Sequence, residues 1–404
     1  MPLIASSSPQ HTVSHWMPVL PSCSPEFGVL LGCCSLNDAG RERLRPALAA
    51  ILDWSQLLEL AEHHGVIPLV YQSLRDCSPL VPAEVLANLR SGYEENARKN
   101  LCFKAELIRI LACLEAHDIV AVPFKGPVLA ETVYRDLALR SFSDLDVLVE
   151  PADVPRAKVA LATLGYTPAP TLSPAEEGAY IASAYEYVFD GPAGRNLLEL
   201  QWAIVPRFYA VEFDVAGIVR RASPTTVGTS TMRRLTGEDL LLALSVHAAK
   251  HLWSRVCWLR DLAGVVATHP FDVDRVERQA AELGIERILA MSVLLANRLL
   301  ASPVPEPWKV KWQNDGQLCA LCEEVEQHLA GAAESSTESL RYFRWMMRLR
   351  ERPSDRWKLL SRLALTPGVG EWSLVKLPGP LFPLYRVVRL FRLAGRILSP
   401  RGRA

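Results

Sequence analysis

Residues 140–149 most constrain what this chain can fold into, because they place two carboxylates one residue apart in an apolar strand. Side chains on a strand alternate between its faces, so Asp144 and Asp146 point the same way while the apolar residues between them point into a core. Two carboxylates held about 4–6 Å apart repel by a few kcal/mol at an effective dielectric constant of about 20. A divalent cation between them removes that cost. We therefore expect a metal site first and phosphate chemistry second.

Composition favours a mostly helical protein with one small sheet. The chain has 404 residues, of which 50% are hydrophobic, enough for a large core and for two or three domains. Leu, Ala and Arg are abundant and strand-like runs are few, which predicts an α+β fold. Residues 341–404 carry 15 Lys or Arg and 3 acids, leaving 29 and 41 for the rest of the chain. The tail is therefore basic and the body acidic.

The cysteines and the N-terminal segment provide information on the cellular compartment of the protein. Nine cysteines at irregular spacing are typical of reduced thiols in a cytoplasmic protein. The early residues are rich in Ser, Pro and His and lack the basic start and apolar run of a signal peptide, so residues 1–37 are predicted to be a disordered leader. No charge-free apolar run reaches about 18 residues, and we expect no transmembrane segment.

Hydrophobic periodicity divides the rest of the chain. Apolar residues at helical spacing predict an N-terminal helical region at 38–117, and the pattern changes to α/β at 118–210. The elements predicted in this core are a strand at 119–124, a helix at 127–135, the carboxylate strand at 143–150, a helix at 152–164, and strands at 184–189 and 196–202. Together they predict a small mixed β-sheet flanked by helical regions.

Two further regions follow the sheet. Residues 211–301 are predicted to be helical, and a Pro-rich segment then leads into a basic helical region at 302–404. Near the end, Arg alternates with large apolar groups at helical spacing: Arg386, Arg389, Arg392 and Arg396. Three interpretations are open: this helix docks on the acidic body, contacts an anionic membrane surface, or contacts nucleic acid.

Phosphoryl or nucleotidyl transfer needs acids to hold a cation, a close backbone approach to the triphosphate, and positive charge. Asp144 and Asp146 supply the first ligands. Glu199 is the natural third carboxylate, because the apolar residues of its strand alternate onto the opposite face and leave it beside Gln201. The alternative for Glu199 is an exposed polar edge.

Lys125 and Gly126 lie between a predicted strand and a predicted helix. Glycine lets a phosphate approach the backbone, and the helix start offers unpaired N–H groups. Lys125 is placed to contact phosphate; a simple turn is the alternative. Arg140 and Ser143 precede the acid pair as further nucleotide-binding candidates. For Arg140 three roles are open: a bridge to the acids, a phosphate contact, or a structural salt bridge.

The order of these motifs resembles the uncharacterised nucleotidyltransferase family of the polymerase-beta-type superfamily. The residues that carry the resemblance are Lys125, Gly126, Tyr134, Arg140, 143–149, 164–166 and 199–202. It extends from about Asp53 to the C-terminal region and is densest at 123–202. In that superfamily a Gly-Ser motif opens a helix, Asp-x-Asp and a later carboxylate follow, and two metal ions activate the acceptor and steady the triphosphate.

The resemblance implies a nucleotidyltransferase core at 118–210, with Asp144, Asp146 and Glu199 as ligands of Mg²⁺ or Mn²⁺. The chain departs from the superfamily in having Lys-Gly where others have Gly-Ser, and Glu199 where many have Asp. The family also has a His-rich helix at this place, which implies that 211–301 covers the cleft and that His247 or Lys250 contacts phosphate. The alternative for His247 is a hydrogen-bonded core position.

The leading prediction is therefore metal-dependent transfer of an NMP from an NTP to an acceptor, with release of pyrophosphate. A small molecule, a peptide or protein, and an RNA end all fit as acceptor. The second prediction is a non-catalytic nucleotide-binding regulatory protein with the same fold. The presence of all three acids argues against it, because a protein that loses its catalytic activity usually loses the residues that bind the metal ion.

Overall fold

The computed structural model describes residues 23–37, 44–48, 52–77, 80–194, 197–331 and 340–398. Helices dominate these residues and surround a small mixed sheet, which confirms the predicted α+β class. The described helices that precede the sheet are α1 (Pro25–Cys34), α2 (Leu44–Leu48), α3 (Trp54–His63), α4 (Ile67–Leu74) and α5 (Ala83–Glu115).

Helix α1 begins inside the segment that was predicted as a disordered leader, so that prediction is wrong for residues 25–34. Ser24 caps the helix by accepting a hydrogen bond from Phe27 N at 3.2 Å, and Pro25 occupies the first turn, where its missing N–H costs nothing. Phe27 and Leu30 are fully buried in the helical core. Residues 1–22 of the predicted leader lie outside the described residues.

The sheet has the order β1-β2-β5-β4-β3. Only β2 and β5 are parallel; the other neighbours are antiparallel. The strands are β1 (Val122–Pro123), β2 (Asp144–Leu148), β3 (Thr167–Ala169), β4 (Glu186–Asp190) and β5 (Leu197–Gln201). The predicted strand at 119–124 shrinks to two residues, because Pro123 has no N–H with which to continue the ladder. Strand β3, at the other edge, was not predicted.

The helix predicted at 127–135 is α6 (Gly126–Leu129), which continues as a π-helical turn over Ala130–Tyr134. It ends at Arg135, whose φ of 57° is left-handed. The helix predicted at 152–164 is α7 (Val154–Thr163), which packs with α5 against the apolar face of the sheet. These contacts leave the opposite face of β2 and β5 free for polar side chains.

Helix α8 (Pro174–Ser183) lies between β3 and β4. After the sheet come α9 (Val215–Arg221) and an unpredicted hairpin, β6 (Ser223–Val227) and β7 (Ser230–Arg234), which lead into the remaining helices. The remaining helices are α10 (Gly237–Lys250), α11 (Val256–Thr268), α12 (Val273–Leu283), α13 (Glu286–Leu300), α14 (Glu306–Trp312), α15 (Gly316–Ala330), α16 (Leu340–Arg348), α17 (Pro353–Leu365), α18 (Val369–Trp372) and α19 (Tyr385–Leu398). Within the described ranges, none of the helices combines the length and the apolar character that a bilayer crossing requires.

Candidate active site

The three predicted metal ligands lie on one face of the sheet. Strands β2 and β5 pair in parallel with Asp146 opposite Glu199, and Asp144 lies on the same face of β2. Leu145 and Leu198 alternate onto the other face and are fully buried in the core. Strand β5 lies between β2 and β4, so Glu199 is not on a sheet edge and the polar-edge alternative is wrong. The fold thus gathers three carboxylates from two central strands.

Gln201 and Glu186 complete this acidic cluster. Gln201 Nε2 donates to Asp146 Oδ1 at 3.0 Å and to Glu199 Oε2 at 3.1 Å, and it lies 3.4 Å from Glu186 Oε2. Glu186 is opposite Gln201 in the antiparallel pairing of β4 with β5. Sequence reasoning missed this fourth carboxylate. Its signal was a single charged residue within an otherwise apolar predicted strand.

The cluster raises the affinity of its own carboxylates for protons. Burial, then the charges of Asp146 and Glu199, raise the pKa of Asp144 from 3.8 to about 6. Burial, then the charges of Asp146 and Glu186, raise the pKa of Glu199 from 4.5 to about 8. Burial also raises the pKa of Glu186. Without a cation, the cluster therefore holds protons that a bound cation would displace.

Lys125 supplies positive charge to the cluster. Its Nζ donates to Asp146 Oδ1 at 2.6 Å, in a pair whose side chains are 10% and 2% exposed. Burial opposes the charged form, but the carboxylates of Asp146, Glu199 and Asp144 outweigh it and raise the pKa of Lys125. Gly126 follows with φ of 51°, a left-handed conformation that favours glycine. The Lys-Gly turn therefore delivers an ammonium group to the acids.

Arg140 is held by another element. Its Nε and Nη2 donate to the two carboxylate oxygens of Asp261 on α11, at 3.0 and 2.8 Å. Tyr134 Oη donates to the same carboxylate at 2.7 Å. Of the roles left open for Arg140, the structure therefore shows the structural salt bridge. The partner lies 121 residues away, and no local pattern identifies it.

Lys250, at the end of α10, brings a second ammonium group to the site and is half-buried. Its Nζ donates to Tyr185 Oη at 3.0 Å and lies 4.8 Å from the centre of that ring. Burial, opposed in part by the charge of Glu186, lowers the pKa of Lys250. Tyr185 was not a predicted site residue. It precedes β4 and thereby connects Lys250 to the strand that carries Glu186.

The histidines of α10 form an aromatic group with Trp258 of α11. The His247 ring stands edge-on to Trp258 at 5.4 Å, and the His251 ring lies 5.0 Å from Trp258 at a tilt of 35°. Burial lowers the pKa of His247 well below 6.5 and that of His251 to about 3. Both rings are therefore neutral at pH 7. They can exchange hydrogen bonds with a ligand but add no positive charge.

Apart from Glu186, Tyr134 and Asp261, these side chains line one cleft of about 680 Å³. Every predicted site residue except Gly126 contributes to its lining, Ser143 included. The N-terminal helical region contributes too, with Gly65 between α3 and α4, and with Gly92 and Lys99 on α5. The volume falls within the range of about 300–1,000 Å³ that is typical of small-molecule sites.

The chemistry of the donor set fits a hard divalent cation, because carboxylate oxygens are the ligands that Mg²⁺ prefers. The arrangement is not preformed. Throughout the described ranges, no group of three or more His, Cys, Asp or Glu side chains has the geometry of a finished metal site. Lys125 and Gln201 both contact Asp146 Oδ1, so a cation bound there has to displace them.

Comparison with known proteins agrees with this geometry. A family model described as an uncharacterised nucleotidyltransferase matches residues 51–301, more than half of the chain. The match begins close to Asp53, where the resemblance was expected to begin, and stops before the basic C-terminal region. It includes the sheet and the helices that carry Lys250 and Asp261. No curated protein matches the chain.

Proposed function

Because the chain belongs to the uncharacterised nucleotidyltransferase family, we propose that it transfers an NMP from an NTP to an acceptor in a reaction that depends on Mg²⁺ or Mn²⁺. The observation that carries the proposal is the pairing of β2 with β5, which sets Asp146 opposite Glu199 at an open cleft. Carboxylates gathered on one face are costly to keep there unless a cation uses them, and three of them, Asp144, Glu199 and Glu186, have a raised pKa.

Asp144, Asp146 and Glu199 would hold the cation. When bound, a divalent cation polarises the phosphoryl oxygens and lowers the pKa of an acceptor hydroxyl. Glu199 would also help to take the proton from the acceptor hydroxyl, because its carboxylate lies beside the cation ligand Asp146 on the paired strand. The acceptor oxygen then bonds to the α-phosphorus, the bond from that phosphorus to the bridging oxygen breaks, and pyrophosphate leaves with that electron pair.

Lys125 and Lys250 would balance the charge of the triphosphate. In the structure Lys125 forms an ion pair with Asp146. With Asp146 holding a cation, the Lys125 ammonium group would be available to the phosphates. Lys250 faces the same cluster from α10, held by Tyr185. Arg140, fixed by Asp261, is a positioning residue that holds the segment leading into β2.

We propose the hydroxyl or phosphate group of a small molecule, a peptide or protein, or an RNA end as acceptor, and a cytoplasmic location. The location rests on the cysteines, all nine of which are free thiols. Incubating the protein with α-labelled NTPs, Mg²⁺ and a cell extract tests the transfer directly. A labelled product that depends on both Mg²⁺ and Asp146 supports the proposal, and its chemical class identifies the acceptor.

The second candidate, a nucleotide-binding regulatory protein without turnover, is favoured by one observation. Lys125 Nζ donates to Asp146 Oδ1 at 2.6 Å, and a positive charge at this position disfavours the binding of a metal ion. Calorimetry with ATP and Mg²⁺, followed by a pyrophosphate-release assay, separates the two candidates. Binding with release of pyrophosphate supports the transferase, and binding without release in the presence of extract supports the regulatory protein.

A further inference from the structure

Helix α19 turns its polar side toward the protein. Tyr385 is buried, with 1% of its surface exposed, and its hydroxyl donates to Val375 O at 2.9 Å. Arg392 Nη1 donates to Glu371 Oε1 at 2.6 Å, and Arg389 Nε donates to Leu363 O at 2.6 Å. The helix therefore docks through its arginines onto α17 and α18, within the C-terminal region rather than on the acidic body.

The apolar side of α19 faces solvent. Phe391 is 74% exposed, and Val387 and Leu390 are each 46% exposed. At about 100° per residue these three side chains share an arc of about 100°, opposite Arg389 and Arg392. A docked helix normally buries its apolar stripe, so this orientation is reversed.

The residues just before α19 extend this surface. Leu374 is 62% exposed, Leu381 45% and Leu384 48%. Scattered apolar side chains on a surface need no explanation, but several that are exposed together on and just before one helix indicate a place where something binds. We call the exposed side chains of Leu381, Leu384, Val387, Leu390 and Phe391 the apolar face.

The charge around the apolar face indicates what covers it. Residues 372–404 contain no acidic residue, and two described positive side chains other than the docked Arg389 and Arg392 are exposed there. Arg386 is exposed and lies beside Leu390 on the helix surface, and Lys376 is exposed in the preceding segment. A surface that combines aliphatic and aromatic side chains with positive charge complements the acyl boundary and headgroups of anionic lipids.

Other occupants match the surface less well. A second copy of the chain would pair the apolar face with itself and bring two sets of like charges together. Nucleic acid would satisfy the arginines, but it would leave four aliphatic side chains of the face against water. We propose that the apolar face binds an anionic lipid bilayer, with α19 lying in the plane of the interface. This inference does not rest on the proposed transferase activity, and its residues lie outside the family match.

Flotation of the full chain with vesicles tests the proposal. The protein should float with vesicles of equal parts phosphatidylcholine and phosphatidylglycerol but not with phosphatidylcholine alone, and less at about 0.5 M salt. The double variant Val387→Ser, Phe391→Ser should lose binding by about tenfold or more. Arg386→Glu should also weaken it. Val159→Ser is the matched control, because Val159 on α7 is 69% exposed and distant in sequence.

Each contrary outcome overturns the proposal. Equal flotation with neutral and anionic vesicles would show that anionic lipid is not required. Unchanged flotation of the double variant would show that the apolar face does not contact the bilayer. Absence of flotation, combined with dimerisation that the double variant abolishes, assigns the face to a second copy instead. Circular dichroism of each variant checks the fold, which substitutions at exposed positions should leave intact.

Discussion

The ammonium group of Lys125 donates to Asp146 Oδ1 at 2.6 Å, while Gln201 donates to the same oxygen at 3.0 Å. The site therefore carries an ammonium group on the carboxylate that lies opposite Glu199. A metal ion at the proposed site would compete with Lys125 for this oxygen, and this competition gives the first prediction.

Lys125→Met should bind Mn²⁺ more tightly than the wild type while transferring nucleotide about 10²-fold more slowly. Metal affinity rises because the competing ammonium group is gone, and turnover falls because the triphosphate loses a counter-charge. Titration calorimetry with Mn²⁺ and a pyrophosphate assay measure the two effects. Lys158→Met, which breaks an ion pair to Glu177 away from the cleft, is the control. Weaker Mn²⁺ binding in Lys125→Met would contradict the assignment.

Thermal stability should fall as pH rises from about 5 to about 8 in the absence of metal. Glu199 has a pKa of about 8 in the folded protein against 4.5 for an ordinary glutamate, so in this range the folded state keeps a proton that the unfolded state has lost. Rising pH removes that contribution. Differential scanning fluorimetry should show that the melting temperature declines less steeply with pH in Glu199→Gln than in the wild type. Adding Mg²⁺ to the wild type should have the same effect. Identical slopes in all three samples would show that Glu199 titrates normally.

Glu186→Gln should shift the acidic limb of the pH–rate profile to lower pH, by on the order of one unit. The charge of Glu186 and its hydrogen bond to Glu199 both raise the pKa of Glu199, and the amide removes the charge. Measuring kcat and kcat/KM between pH 5 and 9 tests this, with Glu177→Gln as control. A profile that does not move would exclude Glu186 from the cluster.

Asp261→Asn should lower the free energy of unfolding by about 3–5 kcal/mol, because it leaves the Arg140 guanidinium buried without a counter-ion. The two side chains are 8% and 3% exposed, so solvent does not replace the lost partner. Urea unfolding measures the loss. Glu94→Gln, in an exposed pair with Arg90, should cost less than about 1 kcal/mol. Equal losses in the two variants would mean that Arg140 has another partner.

The sequence alone predicted the elements that depend on local patterns. The alternation around Asp144 and Asp146 identified β2, and the same rule placed Glu199 and Gln201 on one face of β5. Glu186 could not be assigned, because its place in the cluster depends on the antiparallel pairing of β4 with β5, and the alternation within β4 does not show that pairing.

Long-range contacts account for two of the other differences, and a local helix cap accounts for the third. Arg140 and Asp261 meet only through the packing of α11. The leader prediction weighed the composition of the first residues and overlooked the helix cap at Ser24. For α19 the arginine spacing correctly predicts a helix. Which side of that helix faces the protein depends on Glu371, the partner of Arg392.

The most direct test of the account is pyrophosphate release from NTP with Mg²⁺ and extract in Asp146→Asn. The variant should keep its fold, because the carboxylates of Glu199 and Asp144 remain as charge partners of Lys125. It should lose activity by about 10³-fold or more, because the substitution removes a cation ligand. Asp190→Asn, at the exposed far end of β4, should keep full activity. Full turnover in Asp146→Asn would contradict the proposal that the acids of β2 and β5 form one cation-dependent site.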